Sequence, residues 1–248
     1  MYSEATRREA LALLSGGLSL SETSRHTGVS RSTLRDWLTR PDPLASPSAC
    51  PRCDDAQLDT RAYSALLGFY LGDGCISRMP RYFTLRVSCD ATYPSVVEDV
   101  ARCLEAVHPR RRVHLVVAPG CVVAQSAWQH WPCLFPQHGP GRKHHRPIVL
   151  EPWQSRIVEG HPAAFLRGLF HSDGSRVRNW ATRTVAGELK RYDYPRWQFT
   201  NHSADIRGLC CWALDLVEIP WRQSSWKTIS VSTRAGVARL DELIGLKQ

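Results

Sequence analysis

Two short segments of the 248-residue chain end alike. Leu66-Leu67-Gly68-Phe69-Tyr70-Leu71-Gly72-Asp73-Gly74 and Leu166-Arg167-Gly168-Leu169-Phe170-His171-Ser172-Asp173-Gly174 both run from an apolar stretch into Asp-Gly, 100 residues apart. Small residues at i and i+4 (Gly68 and Gly72; Gly168 and Ser172) stack on one face of a helix. A glycine inside a helix costs about 1 kcal/mol relative to alanine, so the placement needs the close approach of another backbone to offset it. The chain is therefore expected to hold an internal duplication, with one acid, Asp73 or Asp173, at the end of each repeated helix. A carboxylate there meets the negative end of the helix dipole, and two such helices side by side crowd both acids. A divalent cation relieves both repulsions. Mg²⁺ (or Mn²⁺) takes carboxylate oxygens and keeps waters, one of which can attack a phosphodiester.

The charge points the same way. A formal net charge of +9 favours a polyanionic partner. The basic residues are spread over many places rather than along one amphipathic segment, which favours double-stranded DNA over a membrane surface. No run approaches eighteen uncharged apolar residues and the N-terminus lacks a signal-peptide shape, so a cytoplasmic location with no membrane partner is expected. The DNA-bound protein would then be associated with the nucleoid.

Residues 1–40 read as three short helices: Arg7 to Leu14, then a helix capped by Ser21 that ends at Gly28, then one capped by Ser30. Val29 plugs their small core. The order resembles helix-turn-helix domains, whose third helix enters the major groove. Arg31, Ser32, Thr33 and Arg35 are the expected DNA contacts, with Arg35 able to make two parallel hydrogen bonds. Pro41 to Ala49, with three prolines among small residues, reads as a linker.

The sequence after each Asp-Gly follows one plan. In the first half, Arg81–Ser88, Arg112–Val117 and Cys121–Ala124 read as strands around a helix at Pro94–Val107. In the second, Arg176–Arg183, Tyr194–Thr200 and Thr228–Ser232 read as strands, with helices at Ala204–Val217 and Val237–Ile244. On these motifs the chain resembles the LAGLIDADG homing endonucleases in their single-chain, two-repeat form. The resemblance covers roughly residues 60–248.

The resemblance implies an α+β fold of two pseudo-symmetric αββαββα halves, 60–158 and 159–248, whose sheets make a saddle over the major groove. It also implies a monomer with an internal pseudo-two-fold axis. In the family the last acid of each motif binds the catalytic metal, which here means Asp73 and Asp173, and both DNA strands are cut. Lys227 matches the place of an assisting lysine in the second half, and Gln125 is the nearest offer in the first. The halves are therefore expected to be chemically unequal. Arg167 stands where a small residue is usual, and His171-Ser172 replaces an extra acid found in some members. A catalytically silent DNA-binding regulator on the same fold is the alternative to a site-specific endonuclease. Saddle contacts are expected from Arg78, Arg81, Arg86, Arg176, Arg178, Arg183, Arg196 and Arg222, with Lys190–Asp193 at a hairpin tip.

Cys50-Pro51-Arg52-Cys53, within a 41–59 segment of linker and knuckle, has zinc-ligand spacing and needs further ligands. The Gly/Pro-rich segment Cys133–His145 offers them. Cys133 and His138 are the expected partners for a structural Zn²⁺, with His144 as the alternative to His138. The remaining cysteines, such as Cys103, Cys210 and Cys211, read as buried thiols.

Overall fold

The computed structural model describes residues 2, 4–39, 49–109 and 112–248. They fall into two compact units, 1–56 and 57–248. Most of the expected linker, Pro41 to Ser48, lies outside the described residues.

The first unit is built from α1 (Glu4–Ser15), α2 (Leu20–Thr27) and α3 (Arg31–Thr39). Ala10, Val29 and Leu34 are fully buried at its centre, with Leu14, Leu20 and Trp37 packed around them. Ser19, not Ser21, caps α2. Its hydroxyl accepts from Glu22 N at 3.3 Å and the Glu22 carboxylate accepts from Ser19 N at 2.9 Å. Ser21 has Ser24 three residues on, which cannot complete that reciprocal box. Gly28 ends α2 in the left-handed region at φ 69°, and the Ser30 hydroxyl accepts from Thr33 N at 3.3 Å to start α3.

The second unit repeats one plan twice. The first half runs α4 (Thr60–Asp73), β1 (Gly74–Arg78), β2 (Phe83–Asp90), α5 (Pro94–Val107), β3 (His114–Ala118) and β4 (Cys121–Trp128). A connector follows with the short α6 (Trp131–Leu134) and α7 (Pro152–Gly160). The second half is α8 (Pro162–Asp173), β5 (Gly174–Val185), β6 (Glu188–Thr200), α9 (Ala204–Leu216), β7 (Arg222–Ser225), β8 (Thr228–Val231) and α10 (Arg234–Ile244). Both sheets are antiparallel, in the orders β1-β2-β4-β3 and β5-β6-β8-β7. The identical order is the duplication made visible.

Each sheet has a buried face. Ile76, Leu85, Val87, Cys89 and Ala124 form it in the first half; Trp197, Phe199, Ile229 and Val231 form it in the second. Strand side chains alternate in direction, so the register fixes which residues share the opposite, open face. On the first sheet these include Cys75, Ser77, Arg86 and Gln125, since Cys75 pairs with Arg86 and Arg86 with Gln125. On the second they include Arg183, Arg196, Gln198, Arg222 and Ser230.

Five elements differ from the sequence reading. The strands β5 and β6 extend to a turn at Ala186 and Gly187, with φ 55° and 81°, as a two-residue hairpin requires. Lys190–Asp193 therefore lies inside β6 rather than at the tip. The strands β1 and β7 escaped notice because the first is only five residues and the second, Arg-Gln-Ser-Ser, carries no apolar alternation. The helix α7 also escaped notice; Glu151 and Gln154 close a reciprocal cap at its start.

Candidate nucleic-acid interface and central acid pair

The two motif helices meet along their glycines. A Cβ on Gly68 would lie 2.9 Å from Leu169 N and inside contact distance of the Phe165 carbonyl; one on Gly168 would lie 2.7 Å from Phe69 N and press on the Ala65 carbonyl. Backbone meets backbone here, which no larger residue permits. One turn on, a Cβ at Gly72 would overlap the Ser172 hydroxyl and come 3.4 Å from Asp173 Oδ2. The crossing thus carries Asp73 and Asp173 to neighbouring positions at the ends of α4 and α8.

The electrostatics bear out the crowding. Burial, followed by the Asp173 charge, pushes Asp73 up to about 6. Burial also raises Asp173, against a hydrogen bond from Asn201 that lowers it. Asn201 Nδ2 donates to Asp173 Oδ2 at 2.6 Å, and Asn201 N donates to the Lys227 carbonyl at 3.0 Å. The residue after β2 in the first half is Ala91, which has no such donor. The two helix ends thus differ in this donor.

Two lysines missed in the sequence stand at this centre. Lys143 Nζ donates to the carbonyls of Gly72 at 2.7 Å and Gly74 at 2.8 Å, and also to that of Tyr70. Lys247 Nζ donates to the carbonyls of Gly174 at 2.6 Å and Ser172 at 3.3 Å. Each lysine closes the end of its own half's motif helix. Lys143 feels Asp173 more strongly than Asp73, and Lys247 feels Asp73 more strongly than Asp173. The arrangement is a pseudo-symmetric, crossed pair. Burial lowers both lysines, Lys143 to about 8, against the pull of the acids.

The chain goes to some length to deliver Lys143. In its loop Arg146 donates to the carbonyls of Gln137 at 3.2 Å and Gly141 at 2.8 Å. Below it Gln137 Nε2 donates to Gln154 Oε1 at 2.6 Å, Gln154 Nε2 to Tyr63 Oη at 2.7 Å, and Tyr63 Oη to the Leu134 carbonyl at 2.5 Å. Lys247 is held by its neighbour: Gln248 O accepts from Ser95 N at 3.0 Å at the start of α5. One cleft of about 860 Å³ includes Asp173, Lys143 and Asn201 in its wall; a smaller one of about 100 Å³ includes Asp73 and Lys247.

A divalent ion is what the fold implies at these acids, and the residues present do not fit one. The oxygens that would share its shell with the carboxylates, the carbonyls of Gly72 and Ser172, already accept from ammonium groups. All three protons of Lys143 are placed on backbone oxygens.

The other expected residues are distributed as follows. Gln125 Oε1 accepts from Arg86 Nε at 3.1 Å on the open face. The Lys227 ammonium sits 5.7 Å from the Trp226 ring centre. Arg86, Arg183, Arg196 and Arg222 belong to open faces, and Arg81 to the β1–β2 loop. Arg176, Arg178 and Arg78 do not. Arg176 pairs with Trp197, Arg178 with Pro195 and Arg78 with Phe83, all on the buried-face side. Arg176 there makes two bonds to Asp241, at 2.9 and 2.8 Å. A one-residue error in strand phase is enough to misplace such residues. Arg167, the departure from the motif, donates Nε to the buried Asp99 carboxylate at 2.7 Å and Nη1 to the Ile244 carbonyl at 2.9 Å, tying α8 to α5 and α10. In the first unit Arg31, Ser32 and Arg35 are exposed and Thr33 half-exposed along α3.

The histidines near Cys133 are placed differently from one another. The His138 ring packs edge-on to Phe83, 5.9 Å between centres, and His144 packs on His145 and His202. Cys133 instead meets His130 one turn upstream, Sγ to Nδ1 3.7 Å. At the knuckle the Arg52 amide donates to Cys50 Sγ at 3.4 Å. Cys50 and Cys53 thus form one ligand-spaced pair in the first unit, and His130 and Cys133 a second in the other unit. The signal was present: His130-Trp-Pro-Cys133 has the same two-residue spacing as Cys50-Pro-Arg-Cys53.

Residues 1–44 match the family model of a homeodomain-like domain. A comparison with curated protein sequences returns no match. Among solved structures, the chain is similar to I-DmoI in complex with DNA and Mn at TM-score 0.50 and 10% identity, covering 76% of this chain and 98% of that one. It is also similar to the N-terminal LAGLIDADG domain of DUF199/WhiA (TM-score 0.48, 13% identity, 83% and 87% covered) and to the LAGLIDADG meganuclease I-AabMI bound to uncleaved DNA (TM-score 0.46, 13%, 73% and 82%). Identities this low speak for fold alone. The second unit has the two-repeat LAGLIDADG fold, and a helix-turn-helix of homeodomain-like type precedes it. Among the described residues no helix is long and apolar enough to cross a membrane.

Proposed function

We propose that the protein is a site-specific double-stranded DNA-binding protein that reads duplex with the open faces of its two sheets and with α3 of its helix-turn-helix. The observation that carries this reading is the strand register. It puts Arg86 and Gln125 on one open face and Arg183, Arg196, Gln198 and Arg222 on the other. Guanidinium and carboxamide groups are the side chains that address guanine and adenine edges by paired hydrogen bonds. Arg31, Ser32, Thr33 and Arg35 supply the second contact surface. One chain carries both halves, so a monomer suffices, acting in the cytoplasm on chromosomal DNA. Selection from a randomised duplex library, followed by binding assays on the recovered site, tests the reading. Arg196→Ala should weaken the selected site and relax its specificity, whereas equal losses on every sequence would contradict base reading.

Of the two outcomes of binding, regulation without cleavage is favoured by Lys143 and Lys247 at the acid pair. The alternative is hydrolysis with Mg²⁺ or Mn²⁺ at Asp73 and Asp173, assisted by Lys227 and Gln125; both carboxylates are retained for it, while the carbonyls beside them already accept from ammonium groups. Incubating the selected site with Mg²⁺ and Mn²⁺ separates them. Intact duplex supports the regulator; cuts that vanish in Asp73→Asn support the nuclease.

A structural Zn²⁺ completes the proposal: Cys50-Pro51-Arg52-Cys53 and His130-Trp131-Pro132-Cys133 each have zinc-ligand spacing, and three thiolates with one imidazole suit tetrahedral zinc. Purified protein should carry one zinc per chain. Cys133→Ser should lose it while His138→Ala keeps it; zinc lost from His138→Ala instead would restore the sequence-based ligand set.

A further inference from the structure

We propose that Lys143 and Lys247 are the resident cations of the two-aspartate centre, each fastening the end of its own half's helix while facing the other half's carboxylate, so that the centre assembles without a divalent ion. The proposal deepens the DNA-binding reading above but rests on different atoms from those that would touch base edges.

The geometry is that of a filled cation site. A helix end offers carbonyl oxygens that lack intrahelical partners. At α4 these are joined by the carbonyls of Gly72 and Gly74 as the chain turns into β1, and Lys143 Nζ sits among them, bonded to three oxygens. Lys247 does the same for Ser172 and Gly174 at α8. Both ammoniums also lie over an aromatic face, Lys143 at 5.2 Å from the Tyr70 ring centre and Lys247 at 5.7 Å from that of Tyr93. Mg²⁺ would need near-octahedral oxygens at about 2.0–2.1 Å. The lysines use the same oxygens at hydrogen-bond length. Nothing in either half's own motif supplies these cations. They come from the segment after each half's last strand, and each shares a cleft wall with the opposite acid, Lys143 with Asp173 and Lys247 with Asp73.

Divalent-ion binding to the full-length protein tests this, read by the electron paramagnetic resonance of free Mn²⁺ and by thermal unfolding in zinc-containing buffer with or without millimolar Mn²⁺. Wild type should take up no Mn²⁺ at the acid pair and unfold at the same temperature in both buffers. Lys143→Met with Lys247→Met should vacate the oxygens, bind Mn²⁺ at least about tenfold more tightly, and become more heat-stable with Mn²⁺ than without it. Should the double variant fail to fold, Lys247→Met alone gives the same comparison at one acid. Uptake of one or two Mn²⁺ per wild-type chain, lost in Asp73→Asn with Asp173→Asn, would overturn the proposal. So would lysine variants whose Mn²⁺ affinity is unchanged. Neither outcome depends on DNA, so failure here leaves the DNA-binding reading standing, and a protein that binds no DNA leaves this one standing.

Discussion

Replacing Gly68 by alanine sets two effects of known size against each other. Alanine should favour α4 by about 1 kcal/mol through backbone propensity. The new Cβ, however, falls 2.9 Å from Leu169 N and 3.0 Å from Gly168 Cα, and closer still to the Phe165 carbonyl. All of these are backbone atoms of α8 that cannot rotate away. Overpacking of a rigid contact costs about 1–3 kcal/mol or more; with backbone on the far side the upper figure applies, leaving a net loss of about 2 kcal/mol. For a unit of this size that lowers the unfolding temperature by about 4–8 °C. Gly208 is the control. It lies in α9 with nothing within 4 Å of its added Cβ, and alanine there should stabilise by up to about 1 kcal/mol. Tryptophan fluorescence follows the second unit, because Trp37 is the only tryptophan in residues 1–56. If Gly68→Ala melted at or above the wild-type temperature, the two helices would not cross at their glycines, and the pairing of the acids would fall with that crossing.

Other outcomes follow from the same structure. His171 is buried on α8 and burial pushes it down to about 4; the unfolded chain therefore binds more protons between pH 6.5 and 4, and stability is lost as pH falls through that window. Asp73, raised to about 6 among Asp173, Lys143 and Lys247, works in the opposite sense, so the readout is the difference between wild type and His171→Gln in urea titrations at pH 7 and pH 4. Wild type should lose more stability than the variant on acidification; equal losses would refute the assignment. Arg167→Met removes the cross-helix partner of the buried Asp99, which keeps Arg102 on its own helix, and should cost about 1.5–3 kcal/mol, measured by chemical denaturation. Arg176→Ala should lower stability through loss of Asp241 while leaving DNA affinity within about twofold, whereas Arg35→Ala should weaken DNA binding by about 1–3 kcal/mol and leave the melting temperature unchanged.

Much of this was legible in the chain because its signals are local. The glycines, the Asp-Gly ends, the Pro94–Val107 helix and the core role of Val29 all follow from spacing and residue type. Strand phase was harder. Arg176 and Arg183 look alike in sequence, yet odd and even positions on β5 face opposite ways, and only the register with Trp197 separates them. The lysines were hidden for another reason. Asp73 and Asp173 at two crowded helix ends demand positive charge, but a metal and an ammonium satisfy that demand equally. Lys143 and Lys247 come from loops with no periodicity, 70 and 74 residues beyond their acids. In sequence a Gly/Pro-rich loop reads as needing metal, which favours His138 over His130, whereas Arg146, Gln137 and Gln154 hold that loop by hydrogen bonds.

One measurement decides whether the open sheet faces read sequence: selection of bound duplexes from a random library by the zinc-loaded full-length protein in buffer free of Mg²⁺ and Mn²⁺, repeated with Arg86→Ala combined with Arg196→Ala. Enrichment of one extended sequence is predicted without Mg²⁺ or Mn²⁺, with loss of that enrichment in the double variant while non-specific affinity persists. No enriched sequence under these conditions, or the same sequence enriched by the double variant, would contradict it.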